Sequence, residues 1–528
     1  MDISTSTIAG AALATLVAIW TLDVFLLSRA SPGEPAYIRP RVPVIGHLLG
    51  LARGGVAYAY QASASQLHQK GIATIPVIFS VRIYVVTGRS LVAGVQRAAS
   101  RAISFAGFVQ TVNKTWNRLG PAALARHDDP AVHAEAKAII TRGLMPGDEL
   151  DRLNLVSVTE QIRMLGELAG RGEEKEIELM EWVRRVIVAS NSTALYGPQN
   201  PFRDPAHDAD FWTFHRGAGV LLLDFLPRLL APRTVRARDA NIARYRAYHA
   251  ASGHLSASAV VRDRHALWAS LGWTDTEQAG MTFGLDAAIF PNHTPTAFWC
   301  LIELLSRPEL VESIRAELVT SGAVTRFSSS HILLDISRLC TACPLLLSTF
   351  QETQRIHTIH AQIRQVTRAT TLTDDTTGTK YTLRPGSYLQ VPSQPALRDP
   401  ATWGSSPEPS IFHPTRFMTL LSQKTNSEIL TPGTFPVWGI APHICPARQF
   451  ASSSIMALMA LTIMRFDVES ANDKTIKLPE GYHDLATVPY PKTKVHLRMR
   501  PREGWNGDRV KWEASVGEGG TKIPIAIN

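Results

Sequence analysis

The chain has 528 residues, of which 45% are hydrophobic and 19% are charged, so its composition is globular and excludes a disordered chain. Four cysteines are too few for a disulfide scaffold in a chain of this length. The formal charge is +9, but no basic run with interleaved aromatic residues is present, so nucleic acid is not the expected partner. An anionic membrane surface or an acidic protein suits this charge better, and an evenly spread solvated surface is the alternative.

The first predicted element is an apolar segment from Ile8 to Leu27, whose length is about that needed to cross the hydrocarbon layer. Asp23 is its one acidic residue, and the first cation after it is Arg29. The positive-inside rule then predicts a single-pass anchor at residues 1–28, with a cytosolic body at residues 29–528. We expect this anchor in the endoplasmic reticulum membrane. A cleaved signal peptide is the alternative, but the chain begins with Met-Asp rather than with a basic segment.

The body is predicted to be mainly α-helical with a small β region. Short strand-like runs lie within residues 72–97, the stretch from about 130 to 355 has helical patterning, and residues 362–395 return to strand and turn chemistry. The polar, Gly-rich final thirty residues are expected to form a loose tail.

The segment with the clearest chemical signal runs from Phe435 to Cys445, and a helix is predicted directly after it. Amide groups at a helix N-terminus favour the anionic form of a nearby sulfur. A thiolate in that place can bind haem iron, whereas the bland alternative is a buried structural cysteine. Cys340 and Cys343 form a Cys-x-x-Cys pair, but no second pair completes a zinc site, so we expect two buried core thiols.

The cysteine segment resembles the haem-binding loop of the cytochrome P450 superfamily, whose pattern is aromatic-x-x-Gly-x-(His/Arg)-x-Cys-x-Gly. Trp438, His443 and Cys445 match this pattern, and Ala441 and Ala447 stand where glycine is usual. The resemblance implies a haem b cofactor with Cys445 as the axial iron ligand, and it places Trp438 beside the cofactor.

Three further stretches occur in the order found in that superfamily. Glu352-x-x-Arg355 is similar to its Glu-x-x-Arg motif, whose two side chains can form a bidentate ion pair. Pro414-x-Arg416-Phe is similar to the element that completes this network, and the Arg-Asp-Pro-x-x-Trp403 stretch is similar to a third motif. The resemblance therefore assigns Glu352 and Arg355 to the support of the haem site.

Haem carries two propionates that need cationic partners. The resemblance implies Arg364, nine residues after Arg355, and His443 as these partners, whereas Arg368 is expected at the surface. The usual Trp-x-x-x-Arg signature is not found, because Gly120 lies four residues after Trp116, and so one propionate partner stays unidentified.

On the opposite side of the haem, the superfamily uses a long helix with an acid-threonine pair. Here Pro291 and Asn292 occupy those two positions, and Pro295 follows. Each proline removes a helical donor, so we expect the helix to bend or open and Asn292 to lie on the oxygen side of the haem. A simple proline kink with a capping asparagine is the alternative. His293 is expected to be packed rather than catalytic.

This pattern is similar to the branch that holds sterol 7α- and 12α-hydroxylases and prostacyclin synthase. The resemblance implies a monooxygenase that uses dioxygen and electrons from an NADPH-cytochrome reductase. The expected substrate is an apolar molecule, such as a terpenoid, a sterol-like compound or a polycyclic natural product, in secondary-metabolite biosynthesis. The alternatives are an electron-independent isomerase or dehydratase of the prostacyclin synthase type and a non-catalytic haem sensor.

Overall fold

The protein is described by a computed structural model that covers most of residues 32–523. The gaps lie at residues 41, 43–45, 79–80, 100, 171, 223, 360, 419–433, 441–442, 483–487 and 508–509, and before residue 32 only residues 14–15 and 17–21 are described. Most of the predicted anchor, Ile8 to Leu27, and also Ala441 therefore lie outside the described residues. Among the helices that are described, none is both long enough and apolar enough to cross a membrane.

Helices make up most of the described chain. In chain order they are α1 (Gly46–Lys70), α2 (Arg89–Ala98), α3 (Ala106–Thr115), α4 (Pro121–His127), α5 (Pro130–Leu144), α6 (Asp148–Ala169), α7 (Leu179–Tyr196), α8 (Pro205–Leu221), α9 (Pro227–Leu230), α10 (Pro232–Ala250), α11 (Ala259–Ser270), α12 (Asp275–Leu305), α13 (Pro308–Thr320), α14 (Ile336–Thr341), α15 (Pro344–His357), α16 (Gln394–Leu397), α17 (Pro400–Trp403) and α18 (Arg448–Arg465). Short 3₁₀ turns lie at Gly197–Gln199, Pro201–Arg203, Gly253–Ser256 and Pro436–Trp438.

The strands are short and are distributed among several small sheets. They are β1 (Ile72–Ile78), β2 (Val81–Val86), β3 (Ile103–Ser104), β4 (Lys175–Glu178), β5 (Val324–Ser328), β6 (His331–Asp335), β7 (Ala361–Val366), β8 (Thr370–Thr373), β9 (Lys380–Leu383), β10 (Tyr388–Pro392), β11 (Phe466–Ser470), β12 (Gly481–Tyr482), β13 (Tyr490–Pro491), β14 (His496–Pro501) and β15 (Lys511–Ser515). The largest sheet has the order β1-β2-β10-β7-β3, with β2 and β10 parallel. The prediction of a mainly α fold with a small β region is therefore confirmed.

The core is organised around α12, which packs against α7, α10, α15 and α18. Thr274 and Glu277 form a capping box at its start, which satisfies amide groups that have no partner within the helix. We predicted that the helix bends or opens at Pro291 and Pro295; it continues through both prolines and so does not open there.

A buried acid lies on the side of α12 that faces α7 and α10. Asp286 is fully buried, and the hydroxyl groups of Tyr196 and Tyr245 both donate to its carboxylate. Burial raises the pKa of Asp286 to about 8, although the two hydroxyl groups and the charge of Arg264 act to lower it.

The C-terminal segment is more ordered than the sequence predicted. The expectation of a loose tail over the final thirty residues was wrong, because the end of β14 and the whole of β15 lie there and β15 pairs in parallel with β6. Trp512 and Ile523 pack into the main core. The side-chain amide of Gln449 on α18 donates to the carbonyl of Ile523 and accepts from the amide of Ile523. Burial of these two apolar side chains stabilises the ordered segment, although the residues around them in the chain are polar.

Candidate functional site

The loop before α18 is folded tightly onto itself. The amide of Cys445 donates to the carbonyl of Trp438 at 2.8 Å, and the amide of His443 donates to the carbonyl of Ile440 at 3.0 Å. Gly439 has a φ of +95°, and a Cβ atom there would lie 2.7 Å from the carbonyl oxygen of His443. Glycine is therefore required at 439, and the closed loop fixes Cys445 just before the first turn of the helix.

The surroundings of Cys445 differ from those of the other three cysteines. Burial raises the pKa of its thiol, but a hydrogen bond from the Ala447 amide and the charge of Arg448 act to lower it. Cys300, Cys340 and Cys343 are free and buried, and burial is the largest cause that raises the pKa of all three. The prediction that Cys340 and Cys343 are buried core thiols is confirmed.

Glu352 and Arg355 form a fully buried bidentate pair on α15, with N···O distances of 2.7 Å and 2.8 Å. Arg416 donates to the same carboxylate at 3.1 Å, and the amide of His413 adds a bond of 2.9 Å. The two guanidinium groups thus share one carboxylate inside the protein, and they donate in addition to the backbone carbonyl groups of Leu397, Pro409 and Trp403.

This triad is connected to the cysteine loop by aromatic packing. The guanidinium of Arg355 lies 5.3 Å from the ring centre of Trp403, which packs against Phe417 and Phe435. Phe435 directly precedes the 3₁₀ turn that leads to Cys445. Glu352 and Arg355 therefore position the loop through an intermediate layer of side chains.

Arg364 and His443 lie beside the loop. Arg364 is buried, donates to the carbonyl of Ile363 and to the side chain of Gln362, and lies 5.2 Å from the ring centre of Phe105. Burial lowers the pKa of its guanidinium to about 10. The ring of His443 packs on the same phenylalanine at 5.4 Å. Arg368 is exposed, as expected.

Two residues on α5 lie near Arg364 and His443, and the sequence did not identify them. The pKa of His443 is lowered to about 4, first by burial and then by the positive charges of Arg364 and Lys137, and His133 lies near the same ring. His133 and Lys137 are four residues apart on one helix and so share a face. An aromatic ring followed four residues later by a cation was the signal that could have identified them. Trp116 is directed elsewhere, because its indole nitrogen donates to the carbonyl of Ala218 on α8.

One narrow stripe of α12 is accessible, although the rest of the helix from residue 278 to 305 is buried. The stripe consists of Gly284, Ala287, Ala288 and Asn292, which recur at helical spacing on one face. Ala287 packs at the edge of the same apolar cluster as Ala447, which neighbours Cys445. Ala287 and Ala447 thus pack at the edge of one apolar cluster, and the stripe carries small side chains before Asn292.

The two prolines leave carbonyl groups of α12 without their usual helical donors. Pro295 has no amide hydrogen to give to the carbonyl of Pro291, and the hydroxyl of Tyr490 donates to that carbonyl instead, at 3.1 Å. His293 is buried on another face, where the side chain of Asn191 bonds to its Nδ1 at 3.2 Å and burial lowers its pKa to about 3. His293, the residue next to Asn292, is thus packed, as predicted.

These residues fit a haem group. Arg364 is a buried cation with no carboxylate partner among the residues that the structure describes, so it suits a propionate. Within the same described part of the chain, the indole nitrogen of Trp438 is buried beside the loop without a hydrogen-bond partner. Haem held by a cysteine thiolate supplies the redox chemistry that activates dioxygen.

Comparison with known proteins agrees with this geometry. The family model described as cytochrome P450 matches residues 284–496. Cytochrome P450 monooxygenase nodJ of Hypoxylon pulicicidum is 30% identical over 510 residues, which cover 94% of this chain and 95% of that protein. The chain belongs to the cytochrome P450 family. Members of this family bind haem through a cysteine thiolate, and this P450 is accordingly a monooxygenase that requires a reductase.

Other relatives cover the chain to different extents. A cytochrome P450 monooxygenase of Gibberella zeae is 25% identical over 529 residues, with 93% of this chain and 94% of that protein covered. The 7-alpha-hydroxycholest-4-en-3-one 12-alpha-hydroxylase of Homo sapiens is 29% identical over 227 residues, which cover 40% of this chain and 43% of that protein. The second match fits the sterol hydroxylase branch to which the sequence analysis compared the P450.

Proposed function

We propose that this P450 inserts one oxygen atom of dioxygen into a rigid apolar molecule of terpenoid, sterol-like or polycyclic type in secondary-metabolite biosynthesis. The observation that carries the proposal is the accessible stripe of α12, where a glycine and two alanines precede Asn292 on one face of the helix. Small apolar side chains suit a bulky hydrocarbon skeleton, because they leave volume and contribute no polar group that must be satisfied.

Cys445 is the residue that would hold the haem iron. It lies two residues before the N-cap of α18, and although burial raises the pKa of its thiol, both the amide of Ala447 and the charge of Arg448 favour its thiolate. Arg364 and His443 would bind the propionates, and Lys137 on α5 would supply the further positive charge that the sequence left unidentified.

The remaining predicted residues would act at different distances from the haem. Trp438 would pack beside the ring, because its carbonyl accepts the amide of Cys445 within the loop. Glu352 and Arg355 would act indirectly, by holding the aromatic layer of Trp403, Phe417 and Phe435 behind the loop. Asn292 would direct hydrogen bonds to the oxygen side, since it is the polar residue of the accessible stripe.

The proposal includes an N-terminal membrane anchor at residues 1–28 and a catalytic domain at residues 29–528. Its support is the apolar sequence from Ile8 to Leu27 and the cations that follow it. Such an anchor would place the catalytic domain on the cytosolic face of the endoplasmic reticulum, beside an NADPH-cytochrome reductase in the same membrane.

The test is a comparison of metabolites from host cells that express the chain with and without a reductase. We expect a product heavier than its precursor by one oxygen atom, and only when reductase and NADPH are present. Cys445→Ala should abolish both the product and the haem absorbance, whereas the matched thiol variant Cys343→Ala should retain both. A product of the same mass as its precursor, formed without the reductase, would instead support isomerase chemistry.

A further inference from the structure

The segment between α3 and α4 is clamped onto the accessible stripe of α12. A Cβ atom at Gly280 would lie 1.8 Å from the carbonyl oxygen of Asn117, and one at Gly284 would lie 2.5 Å from the side-chain oxygen of Asn117. The amide of Gly120 donates to the carboxylate of Glu277 at 3.0 Å, which ties the same segment to the start of α12. Two glycines one helical turn apart thus allow Asn117 to approach the helix backbone.

Asn117 forms an incomplete amide pair with Asn113. The Asn117 Nδ2 donates to Asn113 Oδ1 at 2.9 Å and approaches the sulfur of Met281 at 3.5 Å. Both side chains are more than nine-tenths buried. Within the described chain, however, Asn117 Oδ1 and Asn113 Nδ2 have no hydrogen-bond partner. Buried amide atoms without partners are costly, so such a pair in a native protein requires an explanation.

The two unsatisfied atoms define the chemistry of a partner. One is an acceptor and the other is a donor, and a hydroxyl group can donate to the first and accept from the second. The position of this pair along α12 is also defined. The side-chain oxygen of Asn117 lies against Gly284, which precedes Asn292 by eight residues on the same accessible face. At about 1.5 Å per residue, this separation is about 12 Å along the helix.

We propose that Asn117 and Asn113 bind a hydroxyl group of the substrate at the end of the molecule remote from the oxidised carbon. This inference rests on the proposed function and deepens it. The substrate is then a rigid apolar skeleton with a hydroxyl about 12 Å from the carbon that lies near Asn292, a distance comparable with the long axis of four fused rings. Asn117 is a specificity-determining residue in this arrangement.

The experiment compares two probes that differ in a single terminal hydroxyl group. Cholestanol and cholestane are delivered in cyclodextrin to the purified haem-loaded protein, and their dissociation constants are measured from the shift of the haem absorbance. We expect the wild type to bind cholestanol with a dissociation constant roughly tenfold lower than that for cholestane, because one buried hydrogen bond typically changes affinity by about this factor. Asn117→Leu should abolish the preference by weakening cholestanol alone. Asn117→Asp should retain it, because the acceptor is conserved.

Each outcome either supports or overturns the proposal. Equal binding of both probes by the wild type would overturn the hydroxyl site and leave the proposed function intact. Absence of a shift with either probe would overturn the four-ring skeleton. Should Asn117→Leu lose its haem, Asn113→Leu removes the donor half of the site and is expected to reduce the preference in the same way. A wild type without any haem absorbance would refute the proposed function itself, which is distinguishable from all of these results.

Discussion

The buried Glu352–Arg355–Arg416 triad allows a quantitative prediction for Glu352→Gln. The substitution retains the size of the side chain but removes the only carboxylate that Arg355 and Arg416 share among the described residues. Two guanidinium groups, exposed by 0% and 5%, are then left without a counter-charge. Removing one partner of a buried ion pair costs about 3–5 kcal/mol of unfolding free energy, because the remaining charge stays desolvated.

This cost converts into a measurable change of melting temperature. An unfolding entropy of about 2.1 cal/mol/K per residue amounts to roughly 1.1 kcal/mol/K for the chain of 528 residues, so the melting temperature of Glu352→Gln should fall by about 3–5 °C. Thermal unfolding followed by circular dichroism provides the assay. Haem content should fall as well, because the triad supports the aromatic layer behind the cysteine loop.

A surface glutamate provides the matched control for this experiment. Glu160 on α6 pairs with Arg163 at 2.6 Å, but the arginine side chain is 52% exposed. Exposed pairs contribute at most about 1 kcal/mol, so Glu160→Gln should shift the melting temperature by less than about 1 °C. Equal melting temperatures for Glu352→Gln and Glu160→Gln, with full haem content in both, would refute the reasoning.

Three further predictions concern α12. His293→Leu removes the bond to Asn191 and should lower product formed per NADPH consumed while haem content stays unchanged; unaltered coupling would contradict its positioning role. Tyr490→Phe leaves the carbonyl of Pro291 unsatisfied and should cost about 1–3 kcal/mol in denaturant unfolding, and an unchanged midpoint would argue against this bond. Asp286→Asn should flatten the pH dependence of the melting temperature between about pH 4 and pH 8, and an unchanged slope would exclude the acid as its source.

The sign of the pH effect follows from the direction of the shift. The folded-state pKa of Asp286 is about 8, above its value of about 4 in an unfolded chain, so the native state binds the proton more tightly. The stability that this proton contributes is fully present below about pH 4 and is lost as the pH rises through about 8. At about 1.4 kcal/mol per pH unit, the loss reaches roughly 5 kcal/mol.

Local patterns were sufficient to predict some parts of this protein. The helix after Cys445 and the pairing of Glu352 with Arg355 follow from short-range spacing, and the structure contains both. The ordered C-terminal segment could not be predicted, because its order depends on Trp512 and Ile523 reaching the core, which are long-range contacts without a local signal. The residues of α5 were overlooked although the spacing of His133 and Lys137 is a local signal, because only the fold brings Lys137 close to His443.

The link between α12 and the C-terminal hairpin β12–β13 has a consequence for recombination among relatives. The hydroxyl of Tyr490 bonds to the carbonyl of Pro291, and the indole of Trp299 bonds to the carbonyl of Pro489 at 2.7 Å. The two segments are about 190 residues apart in the chain but share both bonds. A chimera with its crossover between α12 and β12–β13 would therefore combine the helix of one parent protein with the hairpin of another. Crossovers that keep both segments from one parent should yield more functional progeny.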